Sequence, residues 1–234
     1  MAKPFSTWQV HDNKPLETLE PNLWRVEGEI PGAKGTRVMT VARRKDGGLV
    51  IHNAIALVED EMKRLEGFGE PRLLVVPNGF HRLDARIYKQ RYPQLKVVCP
   101  TGARGRVEQV VAVDHGYDDA PTDDDVRLAH FDGTKQREGW MQVHSPGRTT
   151  VVVNDAINNL PKLGGVFGFL LAPTGIASVP RLAKWLIIAD KPAFRACLER
   201  IAAEPELGRI IVSHGAVIDR DAPAKLREIA AALG

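Results

Sequence analysis

The chain has 234 residues, 44% of them hydrophobic and 26% charged, with a net charge of +3, so it can bury a sizeable core without disulfide or metal staples. Lysine and arginine are scattered and not striped, which argues against nucleic acid as a partner. Cys99 and Cys197, both in apolar surroundings, fit a reducing compartment; no run approaches the ~20 apolar residues of a membrane span and no secretory pattern opens the chain, so a cytoplasmic protein away from membranes is expected.

Residues 1–22 read as an N-terminal extension and 23–234 as a single domain. From Leu23, the segments LWRVEGEI, TRVMTVARR and GGLVIHNAIAL are β-rich and divided by Gly, Pro and a Lys45-Asp46-Gly47-Gly48 turn, which predicts an antiparallel opening. A helix over 58–65 leads through Gly67 and Gly69 into a strand at 73–76 that Pro77 stops. Residues 82–91 then show helical periodicity and 95–99 are strand-like again. Past Pro100 come four more strand-like runs: VEQVVAVD, DVRLAHFDG, GWMQVHS and RTTVVVND. The acidic stretch 114–125 lacks the ligand spacing of an EF-hand loop and reads as a solvated hairpin tip. GGVFGFLLAPTG, at 164–175, is apolar but carries Gly and Pro that disfavour a regular helix; a wall over a cleft, a homodimer interface and a buried crossing segment are all open readings. Helices at 181–188 and 193–203, the run RIIVSHGAVI and a closing helix over 223–233 complete the chain.

Each half thus supplies several mostly antiparallel strands and ends on helix, strand, helix. Two sheets face to face with helices outside bury all these apolar faces, an α/β (α+β) class with αββα layering. Three residues directly follow apolar strands and can meet at one rim: His81 after LLVV and the Asn78 loop, Asp155 after TTVVVN, and His214 after IIVS. Each has a plainer reading, respectively a helix cap, an Asx turn closing a strand, and a polar side chain bonded to a neighbouring loop. His52 and Asn53 end the third β segment and must point to opposite faces, so one of them can look into the cleft. Asn78 can orient a water or polar ligand through its amide.

The order of elements and these strand-end placements resemble the metallo-β-lactamase fold superfamily from about Leu23 onward. TRVMTV, GGLVIHNAIAL, VVPNGFHRLDARIYKQRYPQLKVVCP, SPGRTTVVVNDAINN and IIVSHGAVI more closely resemble a branch of it classed as a domain of unknown function. The resemblance implies a four-layer αββα sandwich. Active members carry His-x-His-x-Asp-His after the strand, a further histidine, a bridging aspartate and a last histidine, which together hold two metal ions. Here the first cluster is degenerate. Matched at the strand end, its positions fall on Asn78, Phe80, Arg82 and Leu83; matched backward from Tyr92-Pro93, His81 falls on the final histidine, with Asn78 and Phe80 on the second histidine and the aspartate. The third histidine's place, after Pro146-Gly147, falls on Arg148. Asp155 matches the bridging aspartate and His214 the last histidine.

The resemblance therefore implies at most one zinc or other divalent metal, held by His81, Asp155 and His214, since three protein ligands and a water suffice for a catalytic zinc. On that reading the protein is a hydrolase of a small-molecule ester, amide or phosphoester, with His81 a ligand or general base and His52 and Asn78 in the outer shell. The alternative is a metal-free, non-catalytic binding or scaffold protein of the same fold.

Overall fold

The computed structural model describes residues 3–233. β2 (Leu23–Glu29) and β3 (Thr36–Arg43) pair antiparallel in unbroken register, from Leu23 opposite Ala42 to Glu29 opposite Thr36. β4 (Gly48–His52) pairs with β3, and β1 (Glu17–Glu20) with β2. The stretch read as an extension up to residue 22 thus supplies the edge strand of the sheet, and Leu16 beside it is buried.

α1 (Glu59–Phe68) buries Met62, Leu65 and Phe68 and places Glu59, Asp60 and Glu61 in its first turn, where negative charge favours the helix dipole. It crosses to β5 (Glu70–Val75), which runs parallel to β4; α2 (Ala85–Arg91) then crosses to β6 (Lys96–Val98), parallel to β5. α2 begins later than the periodicity from residue 82 suggests, because Asp84 is held elsewhere, its Oδ1 accepting from the Ala56 N–H at 3.0 Å. The predicted strand VEQVVAVD is not one. α3 (Arg104–Val107) runs into turns there, and Val107 and Val111, four residues apart, pack on the same core with Val113. The acidic 114–125 stretch is a connecting loop whose carboxylates cap its own backbone, as Asp123 does for Asp125 and Val126.

β7 (Val126–His130), β8 (Gly139–Ser145) and β9 (Arg148–Val153) form an antiparallel meander. α4 (Gly165–Leu170), α5 (Arg181–Leu186) and α6 (Lys191–Ala202) follow, then β10 (Leu207–Val212) parallel to β9, and α7 (Ala222–Ala231). The 164–175 stretch is therefore partly helical, and with Val166 73% and Phe167 68% exposed it is not a buried crossing. α6 is capped by Asp190, whose side chain accepts from the Ala193 N–H at 3.0 Å, and it buries Phe194, Cys197, Leu198 and Ile201 along one stripe.

The two sheets, ordered β1-β2-β3-β4-β5-β6 and β10-β9-β8-β7, lie face to face. Strand alternation divides the apolar residues between layers. Val38 and Ala42 of β3 face Val152 and Ile211 of the other sheet, while Met39 and Val41 face the α1 and α2 side. Val151, Val153, Ile210 and Val212 face α5, α6 and α7. The result is four layers, αββα. At one rim Ser213 ties the sheets together: its N–H continues the β9–β10 pairing to Val153 O, and its carbonyl accepts from the Val38 N–H of the other sheet, both at 3.1 Å. The ends of β4, β5, β9 and β10 open onto this rim. Among the described residues no helix is long and apolar enough to cross a membrane.

Candidate metal centre

Pro77 ends β5, and Asn78 folds the loop after it: its Oδ1 accepts from the Phe80 N–H at 2.8 Å and the His81 N–H at 3.1 Å, an Asx-type turn that aims His81 back over the strand ends. Asp155 follows β9, and its Oδ2 accepts from Asn78 Nδ2 at 2.8 Å. His214 follows β10 and precedes Gly215, whose φ of +107° brings it against the Asn159 carbonyl; a Cβ there would sit 2.1 Å from that oxygen. The His214 carbonyl in turn accepts from Asn159 N–H.

The three side chains converge. His81 Nε2 lies 3.0 Å from Asp155 Oδ1, His214 Nε2 lies 3.3 Å from the same oxygen, and the two Nε2 atoms are 3.2 Å apart. Ligands at ~2.0–2.1 Å around a tetrahedral zinc stand about 3.3–3.4 Å from one another, so the triangle is nearly the right size. What surrounds it settles the tautomers. His214 Nδ1 is 2.8 Å from the carbonyl of Thr36, which can only accept, so this nitrogen carries the hydrogen. His81 Nδ1 is 3.0 Å from Asn53 Oδ1, and Asn53 Nδ2 is spent on Val38 O at 2.8 Å, so the oxygen faces the ring and Nδ1 donates again. In its neutral form each imidazole therefore presents its Nε2 lone pair beside a carboxylate oxygen, and the three atoms together then make the donor set a divalent cation requires. Among the described residues this is the one such cluster of three or more ligating side chains.

Charge follows the same geometry. Burial works to raise the Asp155 carboxyl, but the charge of His81 and hydrogen bonds from both histidines outweigh it and hold the group well below the usual range. Burial works to lower His214, yet its hydrogen bond to Asp155 and the carboxylate charge bring it above the ordinary value. Behind them lies Glu138, fully buried, its Oε1 accepting from the Ala156 N–H at 2.6 Å and its Oε2 from Asn78 Nδ2 at 2.9 Å. Burial first, then the nearby charge of Asp155, push its carboxyl well above the ordinary range. The Asn78 amide thus holds two carboxylates apart while bonding both.

No family model and no curated protein matches the sequence. Solved structures match by shape: DIM-1 metallo-β-lactamase exposed to ceftazidime superposes with a TM-score of 0.63 over 97% of this chain and 100% of that one, at 11% identity. A second DIM-1 metallo-β-lactamase structure gives 0.63 over 95% and 100%, at 12% identity. The fold is that of the metallo-β-lactamases.

Within this metallo-β-lactamase fold the residues read from the sequence divide clearly. His81, Asp155 and His214 share one centre, and Asn78 bonds Asp155 directly. His52 does not join them. It is turned between the sheets, neither ring nitrogen finds a partner in the chain, and burial lowers it to about 3, with the His81 charge adding to the effect. Its neighbour Asn53 holds His81 instead, because the backbone turns to φ 57° there and swings the next side chain over the rim. Of the degenerate motif positions, Phe80 and Leu83 line the cleft, and Arg82 is turned to Gln109 and the Arg106 carbonyl. Arg148 begins β9 near Glu20, at the end of the strand away from Asp155. Glu138 has no sequence signal: it follows Lys135, Gln136 and Arg137 and looks like turn charge.

The centre floors a cleft of about 800 Å³. The side chains of His81, Asp155 and His214 are 9%, 22% and 17% exposed, so a guest in the cleft can reach all three.

Proposed function

We propose that the protein is a metal-dependent hydrolase with a mononuclear centre, acting on an ester, amide or phosphoester. The observation that carries this is the meeting of three lone-pair-bearing atoms whose tautomers are fixed by Asn53 and Thr36. His81, Asp155 and His214 would hold the ion. A zinc there supplies an open coordination position, polarises a bound carbonyl and lowers the pKa of water to ~7.

The chain's own residues do the rest. Asn53 and Thr36 keep both imidazoles in the ligating tautomer, Asn78 holds Asp155 by its second oxygen, and the neutral tendency of buried Glu138 limits the negative charge behind the site. Apart from this triad, Arg37 is the titratable side chain lining the cleft, and it is tied to Asp84. No free general base stands there, so His81 acts as a ligand and water activation rests on the ion.

A second reading, a metal-free binding protein, has one observation in its favour. A single extra proton on a histidine satisfies the triad, and Asp155 raises His214 toward that state. The two readings part on purified protein prepared without chelator. The hydrolase reading expects close to one equivalent of zinc or manganese by elemental analysis, a rise in Tm on adding it, and loss of both in His214→Ala. Less than a tenth of an equivalent and no metal-dependent shift would leave only the metal-free reading.

A further inference from the structure

Resting on the hydrolase reading, we infer that the substrate is a neutral ester or amide whose acyl side carries an apolar arm, lying along the wall that Leu171 and α5 give the cleft. The cleft's volume suits a molecule of drug size, far larger than an acetyl group. Its apolar lining includes Leu171, Leu182, Leu186 and Ile187, with Ile30 from the β2–β3 turn and Leu83.

Charge excludes the other candidates. Arg37 is the one cation among the lining residues; it is 4% exposed, its Nη1 donates to Asp84 and the Ala54 carbonyl, and its Nε donates to the Glu29 carbonyl. Beyond the ion itself no unpaired cation stands among the lining residues to hold a phosphate or carboxylate, so an anionic group lying along the wall meets apolar side chains. One polar handle remains. Asn158 lines the cleft at 5% exposure, and its Oδ1, an acceptor, has no hydrogen-bond partner in the chain, so it is left to accept from a substrate's N–H.

Leu186, one of the lining residues, is 50% exposed, so an arm lying on it gains apolar contact. In the reaction the water oxygen bonds the carbonyl carbon, the bond from that carbon to the alkoxy oxygen or amide nitrogen breaks, and a water proton ends on the departing oxygen or nitrogen.

The test uses zinc-loaded full-length protein and p-nitrophenyl esters from acetate to decanoate, with p-nitrophenyl phosphate and the p-nitrophenyl monoester of glutarate as anionic counterparts. From butyrate to octanoate kcat/KM should climb about two- to fourfold per methylene. Both anionic compounds should fall at least tenfold below butyrate, and Leu186→Asp should flatten the climb. Metal-dependent hydrolysis with a flat or falling profile, or with the anions preferred, overturns this inference and leaves the hydrolase reading standing. No hydrolysis of any compound with zinc bound removes the hydrolase reading, and Nile red binding then reports on the cleft alone. One Nile red site, weakened at least tenfold in Leu186→Asp, supports the apolar guest. A protein that sediments as a dimer and excludes the dye shows that a second copy covers the wall, which overturns it.

Discussion

Asn53 offers the sharpest check on the metal centre, because it touches no cation and acts only through His81. In Asn53→Gly the backbone keeps its left-handed φ of 57° at no steric cost, but two buried hydrogen bonds go: the 3.0 Å bond to His81 Nδ1 and the 2.8 Å bond to Val38 O. Losing an outer-shell partner of this kind typically costs 10–100-fold in metal affinity, because the imidazole is free to rotate and to change tautomer. Stability should fall by about 1–3 kcal/mol from the two lost bonds, with Tm lower by about 2–4 °C per kcal/mol in a chain of this size. Asn53→Ala should lose the same metal affinity and a further ~1–2 kcal/mol, since a Cβ is disfavoured in the left-handed region. Zinc affinity is measured by competition with a chromogenic chelator, and stability by urea unfolding of the metal-free protein. Wild-type affinity retained in Asn53→Gly would refute the claim that the outer shell sets the tautomer of His81.

The remaining expectations test the layers behind the site. Glu138→Gln replaces an acceptor with an amide NH2 that must face either the Ala156 N–H or the Asn78 amide, so urea unfolding should show a loss of about 1–3 kcal/mol; unchanged stability would mean that the carboxyl does not accept both bonds. His52 gives an acid limb. Its folded value of about 3 lies below the ordinary 6.5, so the unfolded chain binds a proton that the native state refuses, and stability is full above pH 6.5 and lost as pH falls toward 3. That difference amounts to several kcal/mol, on the order of 1.4 per pH unit, and His52→Leu should flatten the limb while leaving stability at pH 7 nearly unchanged. Phe194→Ala, in the stripe that seats α6, should cost about 3–5 kcal/mol by differential unfolding, and a loss under 1 kcal/mol would mean that α6 is not anchored there.

The layering was legible because alternation and helical periodicity are local. β3 announces two apolar faces in eight residues, and α6 announces its stripe, though its expected start at 193 came late and left out its Asp190 cap. Asp155 and His214 were legible as polar residues directly after apolar runs. VEQVVAVD misled because a valine-rich stretch satisfies strand propensity whatever its spacing, and tertiary packing settled it as a helical turn. β1 is too short and too charged to register as a strand. At residues 52 and 53 the sequence established only that neighbouring side chains diverge; which one reached the rim depended on where the chain left the sheet. Glu138 was out of reach altogether, since its partners Asn78 and Ala156 lie 60 and 18 positions away.

His81 belongs to the first sheet's connections, whereas Asp155 and His214 extend from the second. Neither half of the polypeptide owns a complete chelate. On the proposed metal reading, ion capture must therefore come after both halves have formed and docked, so zinc would act as a clasp on a finished sandwich and not as a nucleus for either part. Occupancy would then report on assembly itself: a chain whose halves had slipped or opened at the rim would lose its grip on the ion before its helices melted.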